Sequence, residues 1–231
     1  MSQNKIEINY GRNFLYINLL YSFFIKKKRD EIFKILTKTF KVNKFTKILD
    51  VGTTPSMESH ENMILNKFKF KKNITCLSNL NLKSLKKIYP SSIFRQGDGR
   101  KMKFKNNFFD IVFSSATVEH VGSHKNQTRF INECYRVSKN LVFITTPNRN
   151  YPIDFHTRLP LIHLLPKMMH RNILNFFGEK YLSQEKNLNL LSRNDLVQIC
   201  SGLGIKNFKV IKVRLFYFVS NLILIIYKNK K

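Results

Sequence analysis

The spacing of hydrophobic and polar positions changes near residue 46. Before it, residues 12–40 carry an almost continuous apolar run and then apolar residues at helical spacing. Two helices are expected there, joined at the basic run 26–29. From residue 46 onward, short apolar runs of strand length alternate with helical patterns. Such alternation is typical of βαβ units and of a mostly parallel sheet covered by helices.

Five apolar runs predict parallel strands, expected at 47–52, 73–78, 92–95, 109–114 and 141–145. The intervening helices are expected at 57–68, 82–88 and 124–137. After a last helix at 193–203, two strand-like runs at 207–213 and 216–227 have little between them, so they predict an antiparallel hairpin. The fold class is therefore α/β: a doubly wound, mostly parallel seven-stranded sheet with a C-terminal antiparallel hairpin and N-terminal helices.

No repeat or low-complexity linker divides the chain, so residues 1–231 are expected to form one domain. Its parts are an N-terminal helical extension at 1–45, a core at 46–145 and a C-terminal helix and hairpin at 192–231. Between the last two parts, residues 146–191 hold four of the six prolines. A long insertion at the end of a sheet strand predicts a lid or substrate-binding element.

The charge balance is strongly basic, with 41 Lys and Arg against 14 Asp and Glu, a net charge of +27. Such a charge attracts nucleic acid, anionic membranes or anionic substrates. The lysines are spread along the whole chain, as in sequences whose composition is biased toward Lys, Asn, Ile and Phe. Functional and compositional origins of the charge both stay open, and peripheral contact with an anionic membrane is one of the functional ones.

Cys76, Cys134 and Cys200 form no Cys-x-x-Cys pair, which argues against a disulfide framework or a zinc site and favours a reducing compartment. The apolar segments 14–25 and 215–227 are shorter than the roughly 20 residues that a membrane-spanning helix needs. Without a recognisable signal peptide or transmembrane segment, a cytoplasmic protein is expected.

Small or polar residues follow each of the five predicted parallel strands. In open α/β sheets, ligands bind beyond the carboxyl ends of the strands, where the strand order reverses. Polar residues at five such ends predict a ligand crevice. They are Asp50 and Gly52; Ser78 and Asn79; Gly97, Asp98 and Gly99; Ser114, Ser115 and Ala116; and Thr145 with Thr146.

Three motifs carry a resemblance to a known family. They are Lys-Ile-Leu-Asp-Val-Gly at 47–52, Gly-Asp-Gly at 97–99, and Asn-Phe-Phe-Asp-Ile-Val-Phe-Ser-Ser-Ala-Thr-Val-Glu-His-Val at 107–121. In this order they resemble class I S-adenosylmethionine-dependent methyltransferases, most closely the type 11 methyltransferase domains, over residues 47–148. The stretches 145–149 and 155–160 are similar to methyltransferase-like proteins of bacterial surface-glycan loci.

The resemblance implies a Rossmann-like fold and S-adenosylmethionine as cofactor, seated in the core at 46–145. The methyl acceptor would be an unidentified small molecule, glycan or lipid-linked intermediate. The implied contacts follow the strand ends: Asp50, Gly52 and Thr53 toward the methionine part; Ser78 and Asn79 toward the ribose; Gly97, Asp98 and Gly99 toward the adenine. Ser114, Ser115 and Ala116 would form the floor beneath the sulfonium, with Glu119 and His120 just beyond.

Two positions depart from the family pattern. The usual Asp-x-Gly-x-Gly-x-Gly turn reads Asp-Val-Gly-Thr-Thr-Pro-Ser at 50–56, and Ser78 stands where an acidic ribose-binding residue is usual. A degenerate, non-catalytic binding protein is therefore an alternative. A nucleic-acid methyltransferase would explain the charge, but an Asn-Pro-Pro-Tyr/Phe-like motif is absent. An NAD-linked oxidoreductase is disfavoured because 50–55 is a poor Gly-x-Gly-x-x-Gly.

Histidines are the candidate catalytic bases, because a neutral imidazole accepts a proton near physiological pH. His120 and His156 are named for this role. His156, His163 and His170 share a seven-residue spacing, but prolines interrupt any single helix across them. No metal site is predicted.

Overall fold

The computed structural model describes residues 15–56, 61–157 and 159–228, with side chains described from Lys26 onward. The strands are β1 Ile48–Val51, β2 Ile74–Ser78, β3 Ile93–Gln96, β4 Phe109–Ser115, β5 Ser138–Pro147, β6 Phe208–Leu215 and β7 Phe218–Tyr227. The α-helices are α1 Leu15–Thr39, α2 Met63–Lys67, α3 Lys83–Ile88, α4 His124–Val137, α5 Lys167–Phe176 and α6 Arg193–Gly202. Short 3-10 helices occur at Lys71–Asn73, Val118–His120 and Ile162–Leu164.

The strands form one sheet in the order β3-β2-β1-β4-β5-β7-β6. β1 to β5 are parallel, and β7 is antiparallel to both β5 and β6, which confirms the predicted seven-stranded sheet and its C-terminal hairpin. Val51 is level with Leu77 on one side and with Ser114 on the other. The carboxyl ends of β1, β2 and β4 therefore meet at one edge, where the strand order reverses.

Two hydrophobic cores lie on opposite faces of the sheet, because successive strand residues point to opposite sides. Leu49 and Val51 face the core formed with α4 and α6, whereas Ile48 faces the core formed with α1, α2 and α3. Fully burying one such aliphatic side chain contributes roughly 1.5–3 kcal/mol. Both faces of the central strands are covered, which explains why their sequences are apolar runs rather than alternating patterns.

The N-terminal region forms one helix within its described part, so the prediction of two helices is wrong. The basic run 26–29 lies inside α1 instead of at a junction. Lysine and arginine are good helix formers, and their exposed or half-exposed positions here interrupt nothing. Farther along α1, Ile32 and Leu36 are buried one turn apart.

The helix expected at 57–68 is shorter than predicted. Residues 57–60 lie outside the described residues, and α2 begins at Met63. Asn62 has a φ of 42° and holds the loop after β1: its side chain accepts from the Thr54 amide at 3.0 Å and donates to the Ser56 carbonyl at 3.0 Å. These bonds give the backbone an alternative to a helical turn.

Residues 146–191, hereafter the cover segment, begin with the last two residues of β5 and contain α5. A bridge between Asn148 and Leu191 joins the two ends of the segment. Its role as a lid stays a prediction. No helix in the part of the chain that the structure describes combines the length and the apolar character needed to cross a bilayer.

Candidate functional site

A cleft of about 400 Å³ lies at the carboxyl ends of β1, β2 and β3. Binding sites for small molecules commonly have volumes of roughly 300–1,000 Å³. Seven residues that the sequence singled out lie on its walls: Gly52, Ser78, Asn79, Gly97, Asp98, Gly99 and His120. The structure therefore brings most of the predicted strand ends to one cavity.

The turn after β1 is shaped by a single glycine. Gly52 has a φ of 91°, a conformation that residues with a side chain rarely adopt, and a Cβ there would lie 2.0 Å from the Thr117 hydroxyl. The two glycines missing from the family pattern are not needed for this contact. The turn is closed by a bond from the Gly52 amide to the Leu77 carbonyl at 2.8 Å.

Asp50 and Thr53 lie below the cleft rather than on its wall. The Thr53 hydroxyl donates to the Asp50 carboxylate at 3.1 Å, and both side chains are buried. Burial raises the pKa of Asp50 to about 7, against the smaller opposing effect of that hydrogen bond. The carboxyl group has no salt bridge to a Lys, Arg or His of the described residues. A buried acid without a countercharge is suited to receive a cationic ligand group.

At the end of β2, Ser78 is buried and its hydroxyl accepts from the Leu80 amide at 3.2 Å. Asn79 is exposed, and its carbonyl accepts from the Gln96 side chain at 3.2 Å. The amide side chain of Asn79 therefore faces the cleft edge as the more accessible polar group of the two. Neither residue supplies a carboxylate.

The Gly-Asp-Gly turn after β3 contains an ion pair that the sequence did not predict. Asp98 accepts bonds from Nε–H and Nη2–H of Arg100, the shortest at 2.7 Å, and from its backbone amide, and these bonds hold the pKa of the carboxyl group below its usual value. Arg100 also donates to the Val121 carbonyl at 3.2 Å. The guanidinium thus links the turn to the opposite wall. A Cβ on Gly99 would lie 2.6 Å from the Phe130 ring, so that glycine permits close packing of α4.

Ser114 and Ser115 at the end of β4, and Ala116 just after it, do not line the cleft. Ser114 is fully buried and donates to the Val51 carbonyl at 2.8 Å, which ties β4 to β1. Ser115 bonds the Thr145 hydroxyl at 3.0 Å, and Ala116 adopts a φ of 49°. These residues were expected to form the floor beneath the sulfonium. In the structure they hold the turn toward Val118–His120 in place and do not contact the cavity.

The same turn places Glu119 and His120 in contact with the cover segment. Glu119 is fully buried and its Oε2 accepts from the Thr146 hydroxyl at 2.9 Å. His120 lines the cleft, and its Nε2 lies 3.1 Å from Nε2 of His156. The Nδ1 of His156 lies 3.1 Å from the carboxylate of buried Asp154.

The pKa values of Asp154 and His156 depend on their burial and on their contact with each other. Desolvation alone would raise the pKa of Asp154, but the hydrogen bond and charge of His156 outweigh it and the pKa is lowered. Likewise, desolvation alone would lower the pKa of His156, but its bond to Asp154 and the nearby charge of Glu119 raise it. The sequence named His120 and His156 separately; Asp154 was missed because nothing in its local pattern marks it.

Other cleft residues were also missed. Arg100 adjoins the Gly-Asp-Gly motif, which is the one local signal that was available. Thr117 and Phe130 reach the wall from the turn after β4 and from α4. The cover segment contributes three further side chains whose contact with the cleft is visible only in three dimensions: Tyr181, Lys186 and Asn187.

Comparison with known proteins identifies the domain. A family model for the methyltransferase domain, type 11, matches residues 58–144. A methyltransferase from Methanosarcina mazei that depends on S-adenosylmethionine superposes with a TM-score of 0.51 at 14% identity, over 81% of this chain and 94% of its own. Over residues 58–144 the chain therefore resembles type 11 methyltransferase domains, and its fold is that of solved S-adenosylmethionine-dependent methyltransferases.

Two further solved structures share the methyltransferase fold at low identity. Phosphoethanolamine N-methyltransferase 2 of Haemonchus contortus, solved with S-adenosylmethionine, has a TM-score of 0.59 at 12% identity, covering 87% of this chain and 53% of that one. A Pyrococcus horikoshii OT3 protein has a TM-score of 0.56 at 13% identity, covering 87% and 89%. No curated protein sequence matches this chain.

S-adenosylmethionine is the cofactor that the match to the methyltransferase domain implies. The cleft has the features that such a ligand requires. Leu77 and Phe130 provide apolar wall, and Asn79 and Asp98 provide hydrogen-bonding groups. Asp50 is a buried acid next to the wall residues Val51 and Gly52, and it does not itself line the cleft.

Proposed function

We propose that this protein is a methyltransferase that transfers the methyl group of S-adenosylmethionine to a hydroxyl oxygen of a negatively charged small molecule or glycan, bound between the cleft and the cover segment. S-adenosylmethionine supplies a methyl group on a positively charged sulfur, which a nucleophile displaces in line. The protein therefore has to orient the acceptor, exclude water and remove a proton where the nucleophile is a hydroxyl.

The cofactor's contacts are part of this proposal. Asn79 is assigned to the ribose hydroxyls together with Ser78, whose own hydroxyl is partly committed to the Leu80 amide. Asp98 is assigned to the adenine amino group, which would compete with Arg100, because the backbone amide, Nε–H and Nη2–H of Arg100 already donate to this carboxylate. The remaining assignments are Gly52, Gly97 and Gly99 as wall residues, and Asp50 and Thr53 beneath the methionine part. Ser114, Ser115, Ala116 and Glu119 are assigned to supporting the turn.

The observation that carries the oxygen acceptor is the row Asp154, His156, His120 ending at the cleft wall. An alcohol is a poor nucleophile until its proton leaves, whereas a neutral amine or a carboxylate needs no base. Asp154 stays ionised because its pKa is low, and it orients the ring of His156. The acceptor hydroxyl is proposed to lose its proton at the His120–His156 pair.

The negative charge of the acceptor is inferred from the basic side chains around the site. Arg100 and Lys186 lie on the cleft walls. Within the cover segment, Arg149, Lys167 and Arg171 line a second cavity of only about 10 Å³ and add to the positive charge near the site. Within a molecule of net charge +27, these groups favour an acceptor that bears a phosphate or carboxylate.

The test uses cofactor with a labelled methyl group and an extract of polar metabolites and glycans. Label is expected in O-methyl ethers, identified by mass spectrometry. His120→Gln is expected to lower the labelling rate by about 100-fold, the scale of general-base catalysis, while binding of S-adenosylhomocysteine is retained. His124→Gln, at an exposed histidine outside the cleft, is the matched control. Label found only in N-methyl products, in alkali-labile esters or in nuclease-sensitive material would overturn the proposal.

A further inference from the structure

Three side chains that could ligate a metal converge where the cover segment meets the cleft: Glu119, His120 and His156. A carboxylate oxygen of Glu119 and one nitrogen from each ring all lie within 4.8 Å of one another. Within this group the two Nε2 atoms are 3.1 Å apart. Glu119 is fully buried, whereas His120 is exposed at the cleft wall, so the group is reachable from the cavity on one side only.

The partners of the two Nδ1 atoms show which nitrogens of the His120 and His156 rings carry hydrogen. His120 Nδ1 lies 2.7 Å from the Asn187 carbonyl, which can only accept a hydrogen bond. His156 Nδ1 lies 3.1 Å from the ionised carboxylate of Asp154. Both Nδ1 atoms are therefore protonated in the neutral rings, and the Nε2 atoms face each other with lone pairs. Two lone pairs that face each other repel unless a proton or a metal ion lies between them.

Glu119 provides an independent sign of a missing positive partner. Its Oε1 is buried and meets no hydrogen-bond donor among the described residues. No lysine or arginine in the described ranges forms a salt bridge with Glu119 or with Asp154. A buried carboxyl oxygen without a hydrogen-bond partner is unfavourable, and buried carboxylates are normally paired or bound to a metal.

We propose that Glu119, His120 and His156 bind a divalent transition-metal ion of the Zn²⁺ class. Two nitrogens at about 2.1 Å from one ion, seen at roughly 95–110°, lie about 3.1–3.4 Å apart, which agrees with the separation of the two Nε2 atoms. Two imidazoles and one carboxylate favour such ions over Mg²⁺ and Ca²⁺, which prefer oxygen ligands only.

The surroundings match those of a metal site. Imidazole ligands usually donate their other N–H to a carboxylate or a backbone carbonyl, as His156 does to Asp154 and His120 does to Asn187. The carboxylate of Glu119 is held by Thr146. Three protein ligands leave a coordination position open, and the exposure of His120 places it toward the cleft, as in catalytic sites rather than structural ones.

The role of the ion rests on the proposed function: with both Nε2 atoms bound to it, the ion itself would lower the pKa of the acceptor hydroxyl at the His120–His156 pair, and the proton would leave to solvent. Its binding is testable without an acceptor. The full chain is stripped with a chelator and titrated with ZnCl₂ by calorimetry, then with CoCl₂ while the visible absorption of the ion is followed. One equivalent is expected to bind with a Kd of about 1 µM or lower, which is lost or at least tenfold weaker in His120→Gln and Glu119→Gln.

Asp154→Asn tests the support of the ligand and is expected to weaken binding roughly 10–100-fold. His124→Gln is the control for a histidine outside the cluster. Titrations in which wild type binds no ion, or in which His120→Gln binds as tightly as wild type, would show that a shared proton joins the rings and would overturn the site. Since His120 is exposed, its variant is expected to fold, so loss of binding there is not a folding defect. Failure of the oxygen-acceptor proposal appears separately, as label in nitrogen or ester products.

Discussion

At the scale of single residues, burial strongly changes the protonation of Asp50. This residue is a buried acid below the cleft whose pKa is raised from 3.8 to about 7. A raised pKa means that the folded protein holds the proton more tightly than the unfolded chain. The stabilisation is therefore complete below about pH 4 and is lost as the pH rises toward 7.

Asp50→Asn tests this, because asparagine stays neutral at every pH. Relative to wild type, the free energy of unfolding of the variant is expected to rise by about 2–4 kcal/mol between pH 4.5 and pH 8, since each unit of pKa shift corresponds to about 1.4 kcal/mol. Denaturant unfolding at the two pH values measures it. Thr53→Val removes the hydrogen bond that lowers the pKa of Asp50, so it should extend the pH-dependent window upward. An equal difference between Asp50→Asn and wild type at both pH values would refute the raised pKa.

At the scale of elements, the packing of α4 against the turn after β3 couples the core to the cleft. Phe130 is buried in the core and also forms part of the cleft wall. It approaches Gly99 so closely that a side chain there would overlap its ring. The glycine of this motif is therefore explained by helix packing as well as by any contact with a ligand.

Gly99→Ala is expected to destabilise the fold by about 1–3 kcal/mol, the usual cost of overpacking, and to weaken binding of S-adenosylhomocysteine because Phe130 has to move. Gly202→Ala, at the end of α6 where a Cβ meets nothing within 4 Å, is the matched control. That control should be neutral or more stable by about 0.4–1 kcal/mol. Thermal unfolding and calorimetry compare the two variants, and equal effects of both would contradict this account of Phe130.

At the scale of the whole molecule, the net charge of +27 acts on every charged ligand. S-adenosylmethionine carries one more positive charge than S-adenosylhomocysteine, because its sulfur is a sulfonium. The positive field of the protein therefore weakens binding of S-adenosylmethionine relative to binding of S-adenosylhomocysteine. Screening by salt weakens this field.

Raising the ionic strength from about 0.02 M to about 0.3 M shortens the Debye length from roughly 20 Å to roughly 6 Å. Over that range the ratio of the Kd of S-adenosylmethionine to the Kd of S-adenosylhomocysteine is expected to fall about two- to threefold. Calorimetry with both ligands across the salt series measures the ratio. A ratio that rises with salt would mean that local acids such as Asp50 dominate over the net charge.

The order of helices and strands, the parallel sheet and the terminal hairpin could be predicted from the sequence alone, because hydrophobic periodicity and the residues at strand ends are local signals. The cleft residues Gly52, Asn79 and Asp98 followed from the same logic, since parallel strands end at a common edge. In the N-terminal region the local pattern fits either one helix or two, and the prediction of two helices was wrong.

Only the tertiary structure decided which distant side chains meet. It brings His156 of the cover segment to His120 and Glu119. Contacts between residues separated by more than 30 positions leave no periodic trace, because they depend on how a long segment folds back over the sheet. The sequence by itself therefore determined the architecture and the edge that holds the site, while packing determined the group of ionisable side chains at its centre.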